Sequence, residues 1–414
     1  MTAGFTYALR YEVRGHCVTP IRTGGTDGDP QTVLRDSIGR PYLQGTSLAG
    51  ALREWCSDKA LFGSQAQESA LIVSDVVFEQ TAQQSIRPRV RIDGVTGAAS
   101  DGGKFDVACL VAGTRFTFTL VWRGKGGLAD AQTAVEGCLS ALQGGAVVLG
   151  AQRSNGFGRV ALDEVKRRRY DMTNAGDRAA WLEDAEDGEV ISIAAVQPDN
   201  RVVFTVTANT NALLVKGPTG SGVGAGGIDV VMLSENDRPV VPGSSIKGAF
   251  RAHMTKIAPL VGISAERLEQ LLGRMNKEQD NGIAGQLRFS DGSFTKDKAF
   301  KVHRIRLDRF TGGVIRGGLF TEQPVCGLCS FTVSVPADAP DACLLLSYAL
   351  RDLGCGRFTL GGGAAREHGR MYDLCAAIAA PGGKTAELRC QNGKLSVKDP
   401  ANLVVGWQQG GGPQ

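Results

Sequence analysis

The 414 residues carry 46 Lys+Arg against 42 Asp+Glu, so a net charge of +4 does not mark a nucleic-acid binder and any basic surface has to come from clustering. An apolar content of 42% suits a globular chain with an ample core, and the length suits about two or three domains. No apolar run approaches the roughly 18 residues of a membrane span. Met1-Thr2-Ala3-Gly4-Phe5 lacks the charged start and apolar core of a signal peptide, and ten cysteines form no compact framework, so a cytoplasmic protein with reduced thiols is expected.

Residues 5–21 alternate polar and apolar and predict a strand. A Gly-rich loop follows, Gly24-Gly25-Thr26-Asp27-Gly28-Asp29-Pro30. Pro41-Tyr42-Leu43-Gln44-Gly45-Thr46-Ser47-Leu48 then runs from an extended segment into a helix with Leu48, Leu52 and Cys56 on one face, with Thr46 or Ser47 expected to cap it. Residues 71–79 predict a strand, 87–97 an Arg-rich irregular insertion, 115–122 an alternating strand, 127–142 a helix, and 149–162 a Gly-interrupted turn into a last strand. This β-α-β-(insertion)-β-α-β order predicts an α+β, ferredoxin-like (RRM-like, βαββαβ) domain with helices on one sheet face. The acidic stretch containing Glu183, Asp184 and Glu189 predicts a solvated linker over 171–199, with a short helix around Trp181.

The second half repeats the order. Residues 201–210 predict a strand and 214–227 a loop very rich in Gly. Pro239-Val240-Val241-Pro242-Gly243-Ser244-Ser245-Ile246-Lys247-Gly248-Ala249-Phe250-Arg251 then opens a helix with Ile246, Phe250 and Met254 on its apolar face. An extra helix over 268–275, a strand over 286–290, a second insertion over 302–320, a strand over 330–335, a helix over 341–353 and a Gly turn with strand over 357–375 follow. Three landmarks recur in order: this opening motif; Arg91-Ile92-Asp93-Gly94-Val95-Thr96-Gly97 against Arg306-Leu307-Asp308-Arg309-Phe310-Thr311-Gly312; and Leu149-Gly150 to Gly158-Arg159 against Leu360-Gly361 to Gly369-Arg370. Such ordered recurrence predicts a tandem duplication: domains at 1–170 and 200–400, the linker at 171–199 and a flexible tail at 401–414.

Two helix starts with Ser47, Ser244 and Ser245 beside Arg53, Lys247 and Arg251 suit phosphate, since helix N-termini present free N–H groups and a positive dipole end. Arg87, Arg89 and Arg91 crowd the first insertion, and Arg304, Arg306 and Arg309 crowd the second; such clusters track phosphates without reading sequence. Phe105, Phe310 and Phe320 are either wedges against bases or hairpin core. Arg159, Arg366 and Arg370 stand where Gly lets backbones approach, to meet a phosphate or an acid. Cys326 and Cys329 have zinc-ligand spacing without a second pair nearby, so zinc is the weaker reading and buried thiols the stronger.

Together these motifs resemble the RAMP superfamily, the RNA-binding proteins of CRISPR effector complexes, and are most similar to the type III backbone subunit in a two-in-one, type III-D-like form. The resemblance implies that each insertion is a β-hairpin thumb pressing between guide and target strands. It implies that the Gly-rich turn cradles the crRNA backbone, with Thr311 of the second insertion and the cations named above as further RNA contacts. The implied partners are crRNA, target RNA and other CRISPR effector subunits, with no membrane. In cleaving members an Asp between the first strand and the opening motif promotes attack of a ribose 2′-OH on the adjacent phosphate, aided by Mg²⁺ or Mn²⁺. Asp229 holds that position in the second half; in the first half Asp27 and Asp29 both qualify. Two rivals stand beside target cleavage: a non-cleaving crRNA scaffold, and a metal-independent nuclease that matures the guide and needs a His or Lys acid/base.

Overall fold

The computed structural model describes residues 4–25, 29–56, 58–93, 96, 99–184, 188–196, 200–218, 227–275 and 282–404. It divides into two compact units. Unit 1 comprises Met1–Ile86, Val107–Arg153 and Phe157–Pro198; unit 2 comprises Arg87–Asp106, Ser154–Gly156 and Asp199–Gln414. The tip of the first insertion and three residues of the first Gly-rich turn therefore belong to unit 2.

Through residue 198 the elements are β1 (Tyr7–Cys17), β2 (Tyr42–Leu43), α1 (Gly45–Trp55), β3 (Leu71–Val73), β4 (Val76–Phe78), β5 (Gln84–Ile92), β6 (Ala99–Leu110), β7 (Arg115–Gly124), α2 (Leu128–Gly144), β8 (Val160–Asp171), α3 (Ala175–Leu182) and β9 (Glu189–Ile191). The sheet order of unit 1 is β2-β4-β7-β1-β8-β9, with β3 also on β7. Central β1 is antiparallel to both neighbours. Its Leu9, Tyr11 and Val13 point to a core shared with Leu48 and Leu52 of α1 and Val135 and Leu139 of α2, because alternate strand residues share a face. Three expectations change here. The strand over 71–79 is two short strands broken at Ser74-Asp75. The Arg-rich stretch is extended, as β5, and pairs with β6. The acidic segment is not merely solvated: Trp181 of α3 packs edge-on against Tyr170, and β9 covers the edge of β8.

From residue 201 the elements are β10 (Arg201–Leu213), β11 (Val230–Val231), β12 (Ser234–Glu235), β13 (Arg238–Val241), α4 (Gly243–Ile257), α5 (Ala265–Leu272), β14 (Arg274–Met275), β15 (Gly282–Ile283), β16 (Arg288–Phe289), β17 (Gly292–Ala299), β18 (Val302–Leu307), β19 (Val314–Gln323), β20 (Val325–Pro336), α6 (Pro340–Gly354), β21 (Met371–Ala380), β22 (Lys384–Gln391) and β23 (Lys394–Lys398). The main sheet runs β12-β13-β17-β20-β10-β21-β22-β23, with β16 also on β20. Its core joins Phe204 and Val206 of β10, Ile246, Phe250 and Met254 of α4, and Leu346 and Leu350 of α6. The β18–β19 hairpin, joined by β11, forms a separate three-stranded sheet. The closing hairpin β22–β23 escaped the sequence reading, although Ala386, Leu388 and Cys390 alternate with exposed neighbours there. The fold is thus mixed α+β and rich in sheet. No helix of the described residues is long and apolar enough to cross a membrane.

Candidate nucleic-acid interface

Both opening motifs form helices, but the expected caps do not operate. The N-cap residues are Gln44 and Pro242, and neither helix has a side-chain cap bond. A carboxylate from the following strand region takes the task instead: Asp75 Oδ1 accepts Gly45 N–H at 2.7 Å, and Asp291 Oδ1 accepts Gly243 N–H at 2.7 Å. The preceding serines, Ser74 and Ser290, each accept a strand amide at 2.8 Å, from Thr119 and Thr332. The Ser-Asp pair is a fourth repeated landmark, legible as Ser74-Asp75 and Ser290-Asp291 but unread. Each helix dipole already faces an anion of its own chain, which weakens the case for phosphate at these ends. Ser47 and Arg53 are exposed on α1, while Ser244 and Ser245 are half-buried on α4.

Lys247 and Arg251 do share a helix face, but that face turns inward. Lys247 is buried and donates to Ser154 Oγ at 3.0 Å. Burial, with Arg251 nearby, pushes its ammonium down to about 8. Arg251 donates to the Leu272 carbonyl, and burial lowers it also. With Lys247 buried and Arg251 half-buried, the pair is a structural feature rather than a solvated phosphate cradle.

The first basic cluster splits. Arg87 is 0% exposed. Its Nε and Nη2 donate to Glu235 at 2.7 Å each, and its Nη1 and Nη2 to Asp291 at 3.0 and 2.7 Å. Burial alone would lower its basicity, but the two carboxylates hold it charged. It is therefore no phosphate ligand, whereas Arg91 is exposed on β5. In each hairpin an Asp side chain binds the Thr three residues on. Asp93 Oδ1 accepts Thr96 N–H and hydroxyl at 2.7 and 2.9 Å. Asp308 Oδ1 accepts Thr311 N–H, Phe310 N–H and the Thr311 hydroxyl at 2.8, 2.9 and 3.1 Å, which holds its carboxyl below the usual range. Thr311 thus spends its hydroxyl on the turn. Beside it Phe310 is 83% exposed with Arg309 over its ring at 4.8 Å, so it is not hairpin core; Phe105 is also exposed and Phe320 half-buried. Arg306 and Arg309 are exposed, as are Ile305, Leu307 and Leu319, making this hairpin an apolar and basic surface.

At the root of that hairpin three landmarks of unit 2 converge. Asp229 N–H donates to the Thr321 carbonyl at 2.9 Å, and Thr321 N–H returns a bond to Asp229 Oδ2 at 2.7 Å. Val230 continues the pairing beside Glu322. The buried Glu322 carboxylate receives Arg304 Nε from β18 at 3.4 Å and Arg366 Nη2 from the Gly-rich turn at 2.7 Å. Arg304 also donates to His368 Nε2 at 2.7 Å. Burial, with the charges of Arg304 and Arg366, holds His368 below the usual imidazole range. Its proton therefore sits on Nδ1, which is buried and has no partner among the described residues. Asp229 itself is exposed, and His303 Nδ1 meets the Thr321 hydroxyl at 3.0 Å.

In unit 1 Asp29 is exposed, and its Oδ1 accepts Gln31 N–H at 2.8 Å in a local turn. The adjoining Pro30 carbonyl accepts Ala108 N–H at 2.8 Å, so this loop also runs along the second strand of its hairpin. Asp27 lies outside the described residues. Arg159 and Arg370 are exposed and fold against Gly145 and Gly356, where an added Cβ would lie 2.9 and 2.7 Å from their Nε atoms. Cys326 and Cys329 are not brought together: three apart on β20 they face opposite sides, Cys329 in the core with its thiol pushed up by burial to about 12 and Cys326 beside the Lys298 carbonyl. No group of three or more His, Cys, Asp or Glu among the described residues is arranged to hold a metal. Magnesium commonly takes only one or two protein carboxylates and fills its shell with water and phosphate oxygens. The single exposed carboxylate of Asp229 fits an ion carried with RNA, not a protein-only cage.

A family model described as the RAMP superfamily matches residues 15–161 and 214–372, one stretch in each half. A search among curated proteins finds no match.

Proposed function

The chain belongs to the RAMP superfamily, and from that premise we propose that it is a backbone subunit of a cytoplasmic, type III CRISPR RNA-guided effector complex that binds crRNA and cleaves complementary target RNA. Each unit would be a ferredoxin-like domain; the strand orders, with β1 between β7 and β8 and β10 between β20 and β21, support that topology. The observation that carries the reading is the reciprocal bond between Asp229 and Thr321, which ties an exposed carboxylate to the root of a hairpin with an apolar, basic tip.

The hairpin tip, led by Phe310 and Arg309, would wedge between bases, as inserted apolar side chains do when they unstack a base step. Arg306 and Arg309 would hold phosphates by charge, leaving sequence choice to base pairing. Asp229, fixed on one side by the Thr321 amide, would orient or deprotonate a ribose 2′-OH brought to its open side. A divalent ion, when bound through Asp229 and RNA phosphate oxygens, would neutralise charge on the phosphorane. In unit 1, Asp29 would take the corresponding role, with Asp27 the other candidate.

The test uses the assembled complex with labelled complementary RNA and Mg²⁺. Cuts are expected at regular positions, lost with EDTA, and those of unit 2 lost in Asp229→Ala. Cutting that is untouched by Asp229→Ala removes the catalytic role. A wild-type complex that binds but never cuts makes the chain a scaffold.

A further inference from the structure

The carboxylate of Asp229 takes its place from β19, and a buried acid stands next in that strand. Asp229 gives its N–H to the Thr321 carbonyl and accepts the Thr321 N–H at Oδ2, so the backbone at Thr321 sets where it lies. The following residue, Glu322, has a side chain only 2% exposed. Arg304 stands opposite Phe320 in the β18–β19 ladder, diagonally across from Glu322. Phe320 and Glu322 share a strand face, and the Arg366 guanidinium lies over that face, 6.0 Å from the Phe320 ring centre. Glu322 therefore meets a cation of the hairpin and a cation of the Gly-rich turn at once, Arg304 Nε at 3.4 Å and Arg366 Nη2 at 2.7 Å. Among the described residues no other carboxylate pairs with either.

His368 completes the joint. Its Nε2 accepts from Arg304 at 2.7 Å, and its backbone N–H donates to the Gly363 carbonyl at 3.2 Å. Gly363 sits at φ 83°, and a Cβ there would lie 3.0 Å from His368 Nδ1 and 3.2 Å from Arg366 Nη2, so glycine lets the turn close on both side chains. An imidazolium has no acceptor nitrogen. Protonating His368 therefore removes the Arg304 bond and sets a third cation beside Arg304 and Arg366, with Glu322 the one facing carboxylate among the described residues. The two repeats differ here. By the spacing that aligns Phe105 with Phe320 and Gly158 with Gly369, the first repeat has Val107 for Glu322, Asn155 for Arg366 and Phe157 for His368. Val107 and Phe157 are 2% and 1% exposed. Positions that are ionic and titratable in unit 2 are thus neutral in the first repeat.

We propose that Glu322 is a positioning residue for cleavage at Asp229, and that its network with His368 makes the unit 2 site lose activity in mild acid where the unit 1 site keeps it; this rests on the reading of Asp229 as the catalyst. Glu322 is too buried to touch RNA. It draws the hairpin cation and the turn cation onto one strand, and so holds Thr321, and Asp229 with it, in place. Without its charge the two guanidinium groups repel, the end of β19 shifts, and Asp229 moves away from the 2′-hydroxyl. A misplacement of about 1 Å at such a group lowers the rate by up to about 100-fold.

The test uses the assembled complex on labelled complementary RNA with Mg²⁺, the cuts lost in Asp229→Ala being those of unit 2. In Glu322→Gln the amide oxygen satisfies one guanidinium while the NH₂ meets the other donor to donor. The unit 2 cuts should slow about 10- to 100-fold at saturating target, with KM and the remaining cuts unchanged. Glu322→Asp keeps the charge and should cut faster than Glu322→Gln. In the wild type the unit 2 cuts alone should fall off as pH drops through the titration of His368, below the usual imidazole range. His368→Gln offers Arg304 an acceptor that does not titrate, and should flatten that fall. Unit 2 cuts at the wild-type rate in Glu322→Gln, or equal rates in the Gln and Asp variants, overturn the positioning role. A fall that persists in His368→Gln, or one shared by every cut, overturns the acid response. A complex in which no cut depends on Asp229 overturns the underlying reading instead, and the Asp229→Ala arm tells these failures apart.

Discussion

Arg87 offers the sharpest contrast between a phosphate ligand and a structural cation. Replacing it with Ala would leave Glu235 and Asp291, 7% and 17% exposed, facing each other without their shared guanidinium. Asp291 would keep the Gly243 N–H as partner, which softens the loss. Removing one member of a buried ion pair costs about 3–5 kcal/mol, and here four charge-assisted bonds go at once. The expected result is a loss in that range by denaturant unfolding of unit 2. Arg91→Ala, at an exposed position on the same strand, should change stability by no more than about 0.5 kcal/mol. RNA affinity should respond in reverse: Arg91→Ala weakens it uniformly across sequences and reduces the salt slope by about 1. Arg87→Ala, measured where it is folded, should leave that slope alone. An Arg87→Ala protein that unfolds with the wild type yet loses salt-dependent affinity would refute this division.

Lys247 gives a prediction in pH. Its folded value of about 8 lies below its ordinary 10.5, so between these the unfolded chain holds more protons and stability rises with pH. Lys247→Met should melt at or above the wild type at neutral pH, and the gap should close as the wild type is taken above pH 10; a variant that loses stability at neutral pH would mean the Ser154 bond outweighs desolvation. Gly369, at φ 74°, would carry a Cβ 1.7 Å from the Leu360 carbonyl. Gly369→Ala should therefore open the turn that carries Arg366 and His368 and lower crRNA affinity, read by titration; unchanged affinity would separate that turn from RNA binding.

Much of the architecture was legible because it is written in local periods. Alternation in β1 and β10, the 3.6-residue face of α4, and the repeated opening, hairpin and glycine motifs each need only a short window of chain. The hairpin tips were legible as motifs, though not as Asp-Thr turns that consume the Thr311 hydroxyl. The Ser-Asp caps were present as letters, but a cap 30 or 48 residues away follows from no local rule. Serine beside a helix start looked sufficient.

The sequence by itself determined the duplication, the main run of strands and helices in each half, and the carboxylate before the second opening motif, Asp229, while before the first it left both Asp27 and Asp29. Only the tertiary structure decided which cations face solvent. Arg87 meets its partners 148 and 204 residues away, and Lys247 meets Ser154 across 93. Charge looks alike along a chain whether it ends beside water or beside a carboxylate. Its chemistry is set by the dielectric and the neighbours that folding supplies, and those are chosen by long-range packing.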